Sequence, residues 1–320
     1  MTNRPGEPLV SVIVCVYNGQ EFLGAALDSV FAQTHTRFEL IAVDDGSTDG
    51  SAAVLSRYAD SRLRVLHQEN RGAAMALELG LEAARGEYVA FLDQDDLWEK
   101  DKLAVHVDWL RRRPAIDLTF SWFRYVDRAG RDIGLRRKRC RGTLDFRSLL
   151  RDFAIDATSN VVVRRAAIER AGGIDPTFPR MYDLDLFLRI ALLAPRNIEA
   201  VPAVLMLYRR HGLQITYDFN ALQGEWEGVV GKMARLAPEV VASVEGHARS
   251  NASRFFARLA YEHGDYRQAI RYVARGFMCS PARFLADPRN WSTGAACMAG
   301  LVLTPRFDRR LERLAGLRRE

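Results

Sequence analysis

Between residues 11 and 96, four short apolar runs each stop at a cluster of polar or acidic residues, and helical spacing fills the gaps between them. The runs are 11–17 (SVIVCVY), 38–43 (FELIAV), 63–67 and 88–92 (YVAFL). Three of them end at Asn18-Gly19, at Asp44-Asp45-Gly46-Ser47 and at Asp93-Gln94-Asp95-Asp96. Runs this short, apolar and turn-bounded read as buried strands. Phe22, Leu23, Ala26, Leu27, Val30 and Phe31 recur at helical spacing within 21–34; Asp49-Gly50-Ser51 can open a second helix; 72–84 reads as a third, before an Arg85-Gly86 turn. Strands that alternate with helices build a parallel, doubly wound sheet. Such sheets bind ligands beyond the carboxyl ends of their strands, where Tyr17-Asn18, Asp44-Asp45 and Asp93 to Asp96 all fall.

The order changes past residue 115. Strands are expected at 117–126, 159–163 and 201–208, with a hairpin turn at 127–131 and a helix over 182–193, so this half of the sheet is mixed. From 221 onward strand signals stop, and helices are expected at 245–260 and 266–277. The division expected is an α/β domain over 1–220 and a helical extension over 221–320. Tyr261 to Ile270 resembles one tetratricopeptide unit, but one unit cannot bury its own apolar face, so the extension reads as a helical cap.

A chain of 320 residues that is 48% apolar can bury a sizeable core. Its net charge of +6 (46 basic against 40 acidic residues) is gathered at Arg111 to Arg113, at Arg136 to Arg139 with Arg141, and after residue 305. No aromatic-interleaved groove or nucleic-acid motif accompanies these clusters, so nucleic acid is not expected as a partner. Cys15, Cys140, Cys279 and Cys297 lack zinc or disulfide spacing and read as reduced thiols. Residues 1–8 do not read as a signal peptide, and 295–303 is too short to span a bilayer. Residues 306–319 are basic and amphipathic, which suits either adsorption to an anionic membrane or a docked terminal helix. The expected location is cytoplasmic, with peripheral contact at the inner face of the membrane open.

The carboxylates carry the chemistry. Asp93 and Asp95, directly after a strand, can converge on one hard cation, Mg2+ or Mn2+, that keeps positions for phosphate oxygens. Asp44 can accept from a nucleobase N–H or a ribose hydroxyl; the same stretch also makes a strand-to-helix turn with Asp49 as cap. Asp183 and Asp185 open the helix at 182, two positions apart and so pointing apart. The positive helix start is expected to keep Asp183 ionised, fit to act as a general base. His211, in Tyr208-Arg209-Arg210-His211, could give a third metal ligand or a phosphate contact, and Arg209 and Arg210 could face a diphosphate.

In this order the pieces resemble glycosyltransferase family 2, the inverting enzymes of GT-A fold. The residues that carry the resemblance are Val10 to Asn18, Asp44 to Asp49, Asn70-Arg71-Gly72, Gly86 to Asp96, Gly172 to Asp175, Asp183 to Arg189 and Tyr208 to His211, over about residues 9 to 215. The resemblance implies a Rossmann-like α/β sandwich with a mixed sheet and a nucleotide-sugar donor, most often UDP-linked. It implies transfer to an acceptor hydroxyl of a saccharide or lipid-linked saccharide, in surface polysaccharide or glycolipid synthesis. Tyr17 and Asp44 would hold the nucleobase, with Asn18, Asp45, Arg71 and Arg209 also on the donor side. Asp93 and Asp95 would bind ribose and the metal diphosphate with His211, Asp183 would be the base, and Trp98 and Asp185 would lie on the acceptor side. Two positions depart from the family pattern. Tyr182-Asp183 stands where Glu-Asp is common, and Leu77-Glu78 where Arg-Asn is common, so a donor contact passes elsewhere, with Arg71 a candidate. The rival readings are a sugar nucleotidyltransferase, disfavoured because no glycine-rich basic loop follows the first strand, and a non-catalytic carbohydrate-binding relative.

Overall fold

A computed structural model describes residues 6–136, 140–211 and 218–314, with backbone alone at 135, 136, 219 and 302–314. Residues 137–139 of the basic run and 315–319 of the terminal amphipathic segment lie outside the described residues. The chain divides into two compact units, Met1–Leu149 with Phe153–Gln214, and Leu150–Asp152 with Ile215–Glu320.

The first unit carries β1 (Val10–Val16), α1 (Leu23–Phe31), β2 (Phe38–Asp44), α2 (Ser51–Leu55), β3 (Leu63–His67), α3 (Ala73–Ala83) and β4 (Tyr88–Asp93). These elements are the βαβ alternation expected from the sequence. There follow β5 (Leu97–Trp98), α4 (Lys102–Arg112), β6 (Leu118–Val126), β7 (Asp132–Arg136), β8 (Gly142–Leu144), α5 (Phe146–Asp152), β9 (Val161–Arg164), α6 (Arg165–Ala171), α7 (Tyr182–Leu193) and β10 (Ile198–Arg209). The sheet order is β3-β2-β1-β4-β9-β6-β10-β5, with β7 on β6 and β8 on β10. Strands β3, β2, β1 and β4 run parallel, while β9 lies antiparallel between β4 and β6 and makes the sheet mixed.

The core is the inner face of this sheet under α1 and α4: Val10, Val12, Val14 and Val16 alternate along β1 and meet Leu23, Leu27, Leu103, Val107 and Leu110. Helix α4 hides its 3.6-residue spacing among Asp101, Lys102 and Arg111 to Arg113, which masks it in the sequence. β10 starts at Ile198, earlier than the run 201–208 suggests. Pro202 sits where its register with β6 slips between Val201 and Val204, a bulge that tolerates a residue without an N–H.

The second unit is helical: α8 (Phe219–Leu236), α9 (Pro238–Glu262), α10 (Tyr266–Cys279), α11 (Pro281–Ala286) and α12 (Pro288–Leu314). Helix α9 is longer than 245–260, and α8 has no counterpart in the expected elements. α9 and α10 form a helix–turn–helix in which Gly264 takes φ +77° and Asp265 caps α10 by accepting from the Gln268 N–H at 3.0 Å. No helix among the described residues is long and apolar enough to cross a membrane.

Candidate active site

Strand order reverses at β1, and the register there fixes the site. Cys15 lies opposite Asp93 on one neighbour, and Val16 lies opposite Asp44 on the other. Two inter-strand spacings therefore separate the Asp44 and Asp93 backbones, about 10 Å, on the same rim. Burial and the surrounding acids Asp45, Asp93 and Asp44 push the Cys15 thiol up, which keeps it protonated beneath that rim.

The loops on the rim are held by side chains. The Gln94 carboxamide accepts from the Tyr17 N–H and donates to the Tyr17 carbonyl, both at 2.9 Å, which extends the β1–β4 pairing by one residue. Gln94 lies so close to Gly19 that a Cβ there would meet its Oε1 at 2.1 Å, so a larger residue would have to displace the carboxamide that clasps Tyr17. Asn18 takes φ +49°, a conformation asparagine tolerates, and its Oδ1 accepts from the Thr48 N–H at 2.8 Å. Gly19 N–H donates to Ser51 Oγ at 2.8 Å and Gln20 N–H to Asp49 Oδ2 at 3.0 Å, so the β1–α1 and β2–α2 loops are bound together. The Tyr17 ring stays 43% exposed on top of this platform.

Asp44 accepts from the Ser47 N–H at 3.0 Å and lies 3.3 Å from His67 Nδ1. Asp45 is 1% exposed and accepts from Gln68 Nε2, the Arg71 N–H and the Gly72 N–H at 2.6–2.8 Å. The donor contact expected of Asp45 is thus corrected to an internal one: it shapes the 68–72 loop and leaves the Arg71 side chain exposed.

The acidic triplet meets residues more than 60 positions away. Asp95 Oδ2 lies 2.7 Å from His211 Nε2, and the His211 ring packs 4.7 Å from Phe22. Asp93 donates its N–H to Ser159 Oγ at 2.9 Å, and the same hydroxyl donates to Asp93 Oδ2 at 3.0 Å. Burial, with the Asp95 charge beside it, pushes the Asp93 carboxyl up to about 7. Asp96 is buried, accepts from the Arg209 N–H at 3.0 Å, and is pushed well up by burial and by Asp95. Arg209 is 3% exposed, and its guanidinium donates to the carbonyls of Asp95 and Arg128, both at 2.7 Å. Arg209 is therefore corrected from a diphosphate contact to a strut that fixes the Asp95 backbone.

Trp98 and Asp185 are corrected in the same way. Trp98 is 4% exposed, packs in the core, and donates its indole N–H to the Ser159 carbonyl at 2.9 Å. Asp185 is fully buried and ion-paired with Arg189 one turn on, at 2.6 Å, and that guanidinium also reaches the Gly173 carbonyl at 2.7 Å. Both side chains are buried away from the surface. Asp183, on the other side of the helix start, accepts from the Leu184 N–H at 2.7 Å. Burial pushes its carboxyl up to about 6, against the helix-start effect expected from sequence. It is close enough to Asp93 that its charge contributes to raising that group. Tyr182, in the departing position, is buried with its hydroxyl 3.4 Å from Thr158 Oγ1. Glu78, the other departure, accepts from the Ile174 N–H at 2.8 Å and so holds the Gly172-Gly173 turn.

The donor set fits a hard divalent cation. The Asp93 and Asp95 carboxylates stand together, and Asp93 is raised by desolvation and by its neighbour, a charge arrangement that a cation relieves. Among the described residues no three His, Cys, Asp or Glu side chains form a cage by themselves. Mg2+ and Mn2+ need no such cage where phosphate oxygens and water complete the shell.

A family model described as "Glycosyl transferase family 2" matches residues 11–172, just over half the chain. A Bacillus subtilis protein provisionally named as the teichuronic acid biosynthesis glycosyltransferase TuaG is 46% identical over 116 residues, 35% of this chain and 45% of its own length. The uncharacterized glycosyltransferase alr2836 of Nostoc is 32% identical over 214 residues, 63% of this chain and 65% of its own. The matched segments thus span less than two thirds of these relatives. Among solved structures, S. aureus TarS 1-349 in complex with UDP-GlcNAc superposes with a TM-score of 0.62 at 18% identity, covering 91% of this chain and 88% of that one. The mannosyltransferase PcManGT from Pyrobaculum calidifontis, in complex with GDP-Man and Mn2+, gives 0.62 at 23% identity, covering 93% and 87%. The strand-end carboxylates thus sit in a GT-A fold, and the chain belongs to glycosyl transferase family 2.

Proposed function

We propose that this protein transfers a sugar from a nucleotide sugar, UDP-linked, to an acceptor hydroxyl with inversion at the anomeric carbon, assisted by Mg2+ or Mn2+. The observation that carries the reading is the meeting of Asp95 with His211, 116 residues away in sequence, beside Asp93 and within electrostatic reach of Asp183. UDP is favoured by the UDP and UDP-GlcNAc complexes of TarS; the GDP-Man and Mn2+ complex of PcManGT favours the cation and keeps GDP in the test.

The exposed Tyr17 ring offers a face for the nucleobase, and Asp44 accepts from a base N–H or ribose hydroxyl. The exposed Arg71, whose backbone N–H is held by Asp45, is the candidate for a further donor contact. Asp93, Asp95 and His211 would each lend a contact to the cation or its diphosphate, with phosphate oxygens and water completing the shell; when bound, the cation would neutralise charge growing on the departing nucleoside diphosphate. Asp183 takes the acceptor proton as that oxygen attacks the anomeric carbon. A carboxyl raised to about 6 is ionised at neutral pH and is a stronger base than an exposed aspartate. The attack and the departure lie on opposite sides of one carbon, so one displacement inverts it. The acceptor proposed is a saccharide or lipid-linked saccharide. The basic amphipathic stretch 306–319 supports work at the inner face of a membrane.

A panel of UDP- and GDP-sugars with and without Mn2+ tests this, read by thermal shift and by donor hydrolysis. The expected result is stabilisation and slow hydrolysis by one donor, dependent on metal. Indifference to every donor would overturn the reading.

A further inference from the structure

The buried turn of 3-10 helix at Thr158–Asn160 joins the two halves of the site, and nothing in the sequence motifs points to it. All three residues are buried, and polar groups fasten the turn from several sides. The Ser159 carbonyl accepts the Trp98 indole N–H at 2.9 Å, and the Asn160 carbonyl accepts from Lys102 Nζ at 3.1 Å. Asn160 Oδ1 accepts from the Ser121 hydroxyl at 2.8 Å. Thr158 Oγ1 lies 3.4 Å from the hydroxyl of Tyr182, the residue before Asp183. The turn is thus a fixed point between β4 and α7.

We propose that Ser159 is a positioning residue for the metal site, whose hydroxyl, clasped between the Asp93 N–H and Asp93 Oδ2, fixes that carboxylate and aims its other oxygen at the ligand. Two hydrogen bonds to one Oγ close a small ring that locks the Asp93 side chain. Among the described residues no protein partner is seen on Asp93 Oδ1. Without Ser159, a carboxylate beside Asp95 is free to rotate away from its like-charged neighbour. Hydrogen bonds to a metal-binding carboxylate are worth about 10- to 100-fold in metal affinity. Trp98 and Lys102, which follow the acidic triplet, hold the turn in place through the carbonyls of Ser159 and Asn160, a second and indirect contribution.

The inference rests on the proposed function, and the test separates the two. Mn2+ affinity is measured by electron paramagnetic resonance in the presence of UDP, beside UDP affinity without metal, for the wild type, Ser159→Ala and Ser159→Thr. The expected result is Mn2+ binding weakened about 10-fold or more in Ser159→Ala, metal-free UDP affinity unchanged, and Mn2+ binding recovered in Ser159→Thr. Should Ser159→Ala not fold, Trp98→Phe withdraws only the indole N–H from the Ser159 carbonyl and carries the same test with a smaller expected loss. Mn2+ affinity equal to wild type in a folded variant, or metal-free UDP affinity falling in step, overturns the positioning role. A wild type that binds neither Mn2+ nor UDP overturns the proposed function, and this inference with it.

Discussion

The rim at the ends of β1, β2 and β4 and the wall formed by the 158–160 turn, α7 and the end of β10 hold their functional groups by different means. On the rim, each group sits at the end of its own strand, and the register of a parallel sheet brings Asp44 and Asp93 to the two sides of β1. On the wall, position depends on contacts across long stretches of chain: Ser159 to Asp93, His211 to Asp95, Tyr182 to Thr158. Chemistry written at strand ends is therefore local in the sequence, while the groups that orient it are not. A substitution on the rim should change what is bound; one on the wall should change how well it is aligned.

The largest effect expected is at Asp95, where the two regions meet. Asp95→Ala removes the carboxylate that faces His211, and transfer should fall about 10^3-fold, since cation stabilisation of a leaving group is worth several kcal/mol. Steady-state rates against Mn2+ concentration check it; activity that survives at any metal concentration would separate rim from wall. On the wall, Asp183→Asn should lower kcat about 10^2-fold or more with the donor KM little changed. The same residue sets the acid limb of the pH profile. The base must be ionised, so kcat at saturating donor and metal, where Asp93 is held ionised by the cation, should fall as pH drops through about 6 in the wild type, and this limb should vanish in Asp183→Asn. On the rim, Tyr17→Ala should raise the donor KM about 10-fold with kcat held, from the loss of one stacked base. The smallest effect on activity is expected at Arg189. Arg189→Met leaves Asp185 buried without that partner and should destabilise the protein by about 3 kcal/mol. Denaturant unfolding reads this change, while kcat/KM of the folded fraction should move little.

The sequence makes the rim legible because β-branched runs stop where the acids begin, and that junction survives folding unchanged. It also carries the mixed order of the second half, but not β5 or β8, which are too short to show a period, nor β7, whose Asp-Ile-Gly-Leu-Arg has only two apolar side chains. Asp45, Trp98, Asp185 and Arg209 are read as ligand-facing because acids, an indole and a guanidinium near a motif suggest contact. All four are buried, and each has polar atoms engaged within the protein. Ser159 and Gln94 carry no signal on their own, since a lone serine or glutamine becomes informative only once its partner's position is known. Asp183 shows the competition most plainly: the helix start favours its charged form, and desolvation outweighs it.

The anomeric configuration of the product, read by NMR after a single turnover with the donor that binds, tests the central claim most directly. One base and one metal-held leaving group on opposite sides of the carbon predict a linkage inverted relative to the donor. A retained linkage would contradict the account, because a single displacement with Asp183 as base and not as nucleophile cannot retain the configuration.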